Sequence, residues 1–559
     1  MKNNTTLKAN LLIALLSIVL FLPYLGAVHL LDWYEINFAE ASREMIVTGD
    51  YTKVMIDFEP FHEKPPLFFW IQSASMNVFG VDEFGARFPN ALIGMITLLV
   101  LFNFGRRLYD EKFGLLWALA YLGSILPHFY FKTGLIDPLF NLMMFLGTWY
   151  SAMFFTGINS RGRRKLNKDL WLAGIFTALA VMTKGPVGYL LPALTWIVIG
   201  IISCKKVKFP YIPFIVFSLV AALPAAAWYI YTFASIGSQN ILADFLEYQV
   251  RLLTTGDAGH GQPFYYHFVV LFFGCFPSSV LMFIHYNKNT GDDEKQQHIK
   301  LWGKILLYVV LIVFSIVKTK IVHYSSLAYF PITFLAAYGV YKAVYGGVTI
   351  KRAVKWIYGV MGIAWGLAFV GLPLLLMNIG TFAPMIKDEF TRAMLLKPIA
   401  WTGIEPAVGI ILLAAVIASL IYINREKILN GFVILYAGTA ISVFLFMPMI
   451  APPVESMVQG DAVEFYKTMR GKDCCVYPLD IGNYKYGFYF YTDKQPHLSF
   501  YRNGIPEKGR KDSLLKGTIK YPVYFVTKLN KAEKYIRDYG LTPVGKSNGL
   551  VFLKREVGK

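Results

Sequence analysis

At 559 residues, with 56% hydrophobic, 16% aromatic and only 16% charged side chains, the chain is far more apolar than a soluble protein, in which about 25% of residues are charged. Its formal charge of +19 would suit a nucleic-acid binder. The basic residues instead form short tufts between apolar runs, the positive-inside pattern of a membrane protein, and nucleic acid is set aside as a partner. The four cysteines, Cys204, Cys275, Cys474 and Cys475, have neither metal spacing nor the arrangement of a disulfide framework.

The apolar run 11–31 follows Lys2 and Lys8. It is long enough to cross roughly 30 Å of hydrocarbon and lacks a clear cleavage site, which predicts an uncleaved first helix with its N-terminus in the cytoplasm. Lipid offers backbone groups no partners, so the other long apolar runs are expected to be helices. They fall near 84–104, 113–130, 138–157, 170–183, 186–203, 211–233, 265–286, 301–317, 325–345, 354–378, 403–423 and 428–449. The predicted fold class is a polytopic α-helical membrane protein with about thirteen spans. Alternate threading puts the basic tufts at 106–112, 161–168, 205–208, 351–355 and 425–427 on one side, the cytoplasmic one. The first loop and the C-terminal segment then face outward.

From about Pro452 the composition changes. DAVEFYKTMRG and KAEKYIRDYG read as amphipathic helices, and CCVYPL, YPVYFVTKL and NGLVFLKRE as strands. The expected division is a membrane domain over 1–450, with its first outer loop at 32–83, and a soluble periplasmic α/β domain over 451–559.

The first outer loop carries the densest carboxylate cluster of the chain, including Asp32, Glu35, Glu40, Glu44, Asp57, Glu59 and Glu63, together with Arg43 and Lys64. Cations on the outer side run against the orientation rule, and an anion at the membrane surface would account for Arg43, Lys53, Lys64, Arg87, Lys132, Lys184, Arg251, Lys318 and Lys320. Snorkelling to headgroups is the competing explanation for each. In FHEKPPL, Pro65 and Pro66 stiffen the chain around His62, Glu63 and Lys64. In FKTGLIDPLF, Asp137 is either a group lining a wet cavity or a helix cap with Pro138 after it. In MTKGPVG, Lys184 lies at a helix break, suited to a phosphate contact. The stretches around Arg251 and His260, and around Lys320, His323 and Tyr324, add donors. His62, Glu63 and His260 offer ligands for a divalent ion such as Zn or Mg, although their spacing is not that of a local metal motif.

FAEASREM, TGDY, EKPPL and GARFPNAL, followed by GLIDPLF, TKGPVG, GHGQPFYYHF and KTKIVHYSSLAYFP, resemble the bacterial polyprenyl-phosphate-dependent glycosyltransferases of GT-C architecture, the dolichyl-phosphate-mannose-protein mannosyltransferase-like family. The resemblance covers most of residues 10–350. It implies an inner-membrane enzyme that moves a sugar, with inversion, from undecaprenyl phosphate at the periplasmic face to lipid A or another lipopolysaccharide acceptor. A protein O-mannosyltransferase-like enzyme and a flippase of lipid-linked sugars are the alternatives. The resemblance implies Asp32, Glu35 or Asp137 as the catalytic carboxylate, and Arg43, Lys64, Lys184, Arg251, Lys320 and Tyr324 as contacts to the donor phosphate. No cofactor beyond the optional metal is expected, and the chain is expected to act as a monomer in membrane lipid. One position departs from the family pattern: Tyr34 stands where an Asp usually precedes the Glu. A phenol with a pKa of about 10 cannot replace a carboxylate base at neutral pH.

Overall fold

The computed structural model describes residues 2–32, 35–61, 63–157, 165–203, 208–236, 247, 251, 254–255, 261–286, 288, 291–482 and 486–558. Every apolar run predicted to be helical is helical, and the chain is a multi-pass membrane protein. Among the described residues eight helices are long and apolar enough to cross a membrane, from Asn4–Phe21 to Ile428–Met449. Of the other runs, 138–157 forms the 19-residue helix Asp137–Phe155, and the rest are shorter or broken. The predicted 113–130 helix divides into Glu111–Leu122 and Ile125–Tyr130, because Ser124 is extended. The 265–286 run divides into Tyr266–Gly274 and Ser278–Leu281 around Pro277, which has no N–H for a helical bond.

The first helix, Lys2–Phe21, stops ten residues short of the predicted end at Leu31. Pro23 cannot continue the helix, and the carbonyls beyond it are taken by side chains. Lys132 Nζ donates to the carbonyls of Phe21 at 3.3 Å and Pro23 at 2.6 Å, while Arg87 donates to those of Leu25, Val28 and His29.

The first loop, 32–83, is itself folded. It contains the helices Ile36–Thr48 and Leu67–Phe79, joined by a hairpin of strands β1 (Met55–Ile56) and β2 (Glu59–Pro60). Gly49, at φ +70°, closes the first helix by donating to the Met45 carbonyl. That helix is buried on nearly every side, including Glu40, Arg43 and Glu44. It packs against Leu67–Phe79 and against the short helix Gly487–Tyr491 of the C-terminal domain.

Beyond Ile450 the chain builds a four-stranded mixed sheet in the order β3-β4-β6-β5. β3 (Cys475–Leu479) runs parallel to β4 (Val523–Lys528), while β6 (Leu550–Arg555) pairs antiparallel with both β4 and β5 (Thr542–Ser547). Leu479, Phe525, Val526 and Leu553 are fully buried in its core. Phe465, from the helix Asp461–Thr468, stacks on Phe552 at 4.0 Å between ring centroids.

Candidate active site

Asp137 is the first residue of the helix Asp137–Phe155, but it is not the cap that its sequence allowed, since Ile136 holds the cap position and no side-chain cap bond forms. Its Oδ1 accepts a 2.6 Å bond from Lys184 Nζ. Lys184 ends the helix Lys168–Lys184, which stops at Gly185 with φ +89°. Asp137 Oδ2 is buried and has no hydrogen-bond partner among the described residues.

Lys64 arrives from the first loop and lies close enough for its charge to act on both Asp137 and Lys184. Burial pushes its ammonium below the ordinary lysine value, against the opposing pull of Glu63 and Asp137. Glu63 Oε2 is 3.8 Å from Lys64 Nζ. The loop therefore delivers a cation to the ends of the helices Asp137–Phe155 and Lys168–Lys184.

Tyr324 borders the same cluster, its ring centroid 5.4 Å from Lys184 Nζ. Its ring packs on Phe314, which also meets His267. His267 Nδ1 bonds Ser325 Oγ at 3.0 Å, and the charge of buried Lys320 acts on the imidazole. Lys320 Nζ itself donates to the Val317 carbonyl. The segment carrying Arg251 is stitched to this boundary where Thr319 Oγ1 donates to the Thr255 carbonyl at 2.7 Å, and Arg251 is exposed.

The remaining first-loop residues behave differently. Glu35 was a candidate base, yet it is enclosed: Arg87 donates to both of its oxygens, at 3.1 and 2.7 Å, and the N–H groups of Leu31 and Gly134 complete the set. Burial alone would raise its pKa, but Arg87 and those N–H groups hold the carboxyl below its ordinary value. A saturated carboxylate of low basicity is an anchor for Gly134 and the Asp137 turn, not a proton acceptor. Asp32 accepts the N–H groups of Tyr486 at 3.1 Å and Gly487 at 3.3 Å, so it joins the first loop to the C-terminal domain.

Arg43 also departs from the phosphate role. Its Nε and Nη2 form a fork on Glu40, both at 2.7 Å, and it donates further to Asp493 and to the Lys494 carbonyl. With a side chain only 1% exposed, it cannot reach an incoming anion. Glu44 lies beside this fork, and burial together with Glu40 raises its pKa well above the ordinary value.

Among the described residues no three His, Cys, Asp or Glu side chains converge to hold a metal ion. His62 and His260, and Tyr34 as well, lie outside the described residues. Sequence reasoning counted Arg87 among the outer cations without seeing that it is the partner of Glu35, although GARFPNAL carried it. It passed over Gly134 and Asp57 as structural contributors, and nothing local marked Lys494.

These features define the class as a polytopic membrane fold with a folded first loop and an appended sheet domain. ArnT from Cupriavidus metallidurans, in a crystal structure bound to undecaprenyl phosphate, shares it with a TM-score of 0.72 over 97% of both chains at 16% identity. More particularly, residues 63–228 match the dolichyl-phosphate-mannose-protein mannosyltransferase family, a range that contains Lys64, Asp137 and Lys184. The chain is also similar to curated undecaprenyl phosphate-alpha-4-amino-4-deoxy-L-arabinose arabinosyl transferases. It is 25% identical to that of Wigglesworthia glossinidia brevipalpis, over 61% of this chain and 60% of the relative. It is 26% identical to that of Pectobacterium atrosepticum, over 67% and 66%. With an uncharacterized Aquifex aeolicus protein included, the chain spans between 56% and 66% of the length of these relatives.

Proposed function

We propose that the protein is a glycosyltransferase that moves a sugar from undecaprenyl phosphate to lipid A or another lipopolysaccharide acceptor at the periplasmic face of the inner membrane. The observation that carries this reading is the Lys64, Asp137 and Lys184 cluster, a buried carboxylate with one open oxygen, bonded to the Lys184 ammonium and within reach of the Lys64 charge.

The acceptor oxygen attacks the anomeric carbon from the face opposite the phosphate. The bond from that carbon to the phosphate oxygen breaks, its electron pair stays with the phosphate, and the configuration inverts. The donor is a phosphodiester with one negative charge, and the departing phosphate monoester gains a second. Lysines beside that oxygen therefore stabilise the transition state more than the ground state, which is the condition for accelerating the step. The exposed Arg251 and the more distant Lys320 add positive potential along the outer boundary. Asp137 Oδ2 orients an acceptor hydroxyl or takes its proton. An acceptor phosphate is already ionised and needs no strong base, which fits a chain carrying Tyr34 in place of the family Asp. A divalent ion held by Glu63 with His62 and His260 would be a further aid to the leaving group, tested by adding and chelating metal in the same assay.

Topology follows from the charge pattern, with the N-terminus cytoplasmic and the C-terminal domain periplasmic. The deciding experiment is mass spectrometry of lipid A and envelope glycoproteins with and without the gene, together with transfer by the purified protein. A sugar missing from lipid A in the deletion supports the reading. Unchanged glycans in both pools overturn it.

A further inference from the structure

The hairpin that leads to Lys64 has a turn that its own sequence disfavours. Strands β1 and β2 are joined by only Asp57 and Phe58, at φ +60° and +57°. Two consecutive left-handed residues make the primed turn of a tight hairpin, which favours Asn-Gly or Asp-Gly. A phenylalanine in that conformation is uncommon and strained. The turn must be imposed from outside.

The partners that impose it come mainly from the C-terminal domain. The Asp57 carboxylate accepts Lys494 Nζ at 2.7 Å, the N–H of Phe500 at 3.2 Å and the N–H of Tyr501 at 3.3 Å. Ser499 Oγ donates to the Asp57 carbonyl at 2.6 Å, and Arg510 Nη2 is 3.6 Å from the carboxylate. The Arg502 guanidinium lies 5.1 Å from the centre of the Phe58 ring, while the Phe58 N–H is held by Glu44 of the same loop at 2.8 Å. Asp57, Phe58 and Lys494 are 2%, 3% and 4% exposed. Past the turn, six residues carry the chain from Phe58 to Lys64, with Pro60 and Pro65 each fixing φ on either side of Glu63 and Lys64.

We propose that the C-terminal domain is a clamp that imposes the Asp57–Phe58 turn and thereby sets Lys64 beside Asp137 and Lys184, making Asp57 and Lys494 positioning residues for transfer. A fastener serving stability alone could sit anywhere on the seam, and Asp32 and Arg43 already provide two. This one sits at the strained point of the segment that ends in Lys64. The proposal rests on the glycosyl transfer proposed above, since it assigns Lys64 its task.

The test uses full-length protein in lipid nanodiscs, reading sugar transfer, undecaprenyl phosphate binding and thermal unfolding for Lys494→Met, Asp57→Asn and the double variant. Each single variant is expected to lower the melting temperature, because it leaves one buried charge without its partner, and in the protein that remains folded to lower kcat by about tenfold and weaken undecaprenyl phosphate binding, with the acceptor KM little changed. The double is expected to recover to within about threefold of wild type, because Asn tolerates positive φ, accepts the same N–H bonds and leaves no unpaired charge. Single variants with wild-type kcat and binding, or a double no better than the worse single, would overturn the proposal. If Lys494→Met does not accumulate, Asp57→Asn decides alone, and wild-type kcat and binding there overturn it. Absence of transfer by the wild-type protein would count against the activity instead, while the binding measurement would still read the clamp.

Discussion

Two groups of charged residues meet at the first loop, and they differ in what folding leaves unmatched. Along the seam with the C-terminal domain, Asp32, Glu40, Arg43, Asp57 and Lys494 are all taken up by partners. Glu44, with one buried oxygen unpartnered among the described residues, is the exception, its carboxyl pushed toward the neutral acid by burial and Glu40. At Asp137 one buried carboxylate oxygen has none, beside two lysines. Buried charge is stable only when paired, so a complete set of pairs marks a joint and an incomplete one marks a place for a ligand. The difference predicts that breaking the joints reduces stability, and at Asp57 and Lys494 transfer as well, whereas changing the cluster reduces chemistry alone.

The largest expected effect is on the joint between Arg87 and Glu35. Arg87→Met leaves Glu35 buried and unpaired, and it should destabilise the protein by about 3–5 kcal/mol, read as loss of folded protein in a thermal scan. Arg87→Met with Glu35→Gln should recover part of that. The linkage has a definite sign. Glu35 has a folded-state pKa below its ordinary 4.5, so the pair's contribution is full above about pH 4.5 and is lost as pH falls through the lower folded value. An Arg87→Met protein as stable as wild type would erase the distinction between joint and site.

Next comes the cluster itself. Asp137→Asn keeps an acceptor for Lys184 and removes the charge, so transfer should fall by about 10²–10³-fold with an unchanged melting temperature. A variant that loses stability in step with activity would place Asp137 with the joints instead.

The same contrast explains what was legible in the sequence. Lys64, Asp137 and Lys184 each lie beside a glycine or proline break next to an apolar run, and an ionisable residue there is conspicuous. Asp32 and Arg43 are equally conspicuous, but their partners lie 454 and 450 residues away, and nothing local distinguishes a carboxylate that will meet Tyr486 from one that will meet a substrate. The helix Ile36–Thr48 was invisible for a related reason. Two different bodies cover its two sides, so its buried positions show no single apolar stripe. The long apolar helices and most of the C-terminal strands were readable from hydropathy and alternation. β5, an exposed edge reading TPVGKS, carries neither signal.

A smaller effect separates Lys64 from an ordinary surface lysine. Burial holds its pKa below 10.5, so the protein alone disfavours the charged form that a phosphate needs. Undecaprenyl phosphate affinity should fall as pH rises through the depressed value, sooner than 10.5. Lys64→Met should bind roughly tenfold more weakly and lose that pH dependence. A Lys64→Met protein with the wild-type pH profile would show that another group binds the phosphate.

Arg251 should give the smallest effect, and it tests the boundary of the site. It is exposed, where solvent screens a charge and a single ion pair contributes about 0–1 kcal/mol. Arg251→Ala should therefore raise the donor KM by no more than about fivefold, with kcat unchanged. Because its action is through the surrounding potential, the difference from wild type should vanish as salt shortens the Debye length from about 10 Å at 0.1 M to about 3 Å at 1 M. Asp137→Asn should show no such rescue, since a buried group is poorly screened. If Arg251→Ala instead lowers kcat by 10²-fold or more at every salt concentration, the outer segment closes onto the phosphate during the reaction, and the site extends beyond the Lys64, Asp137 and Lys184 cluster.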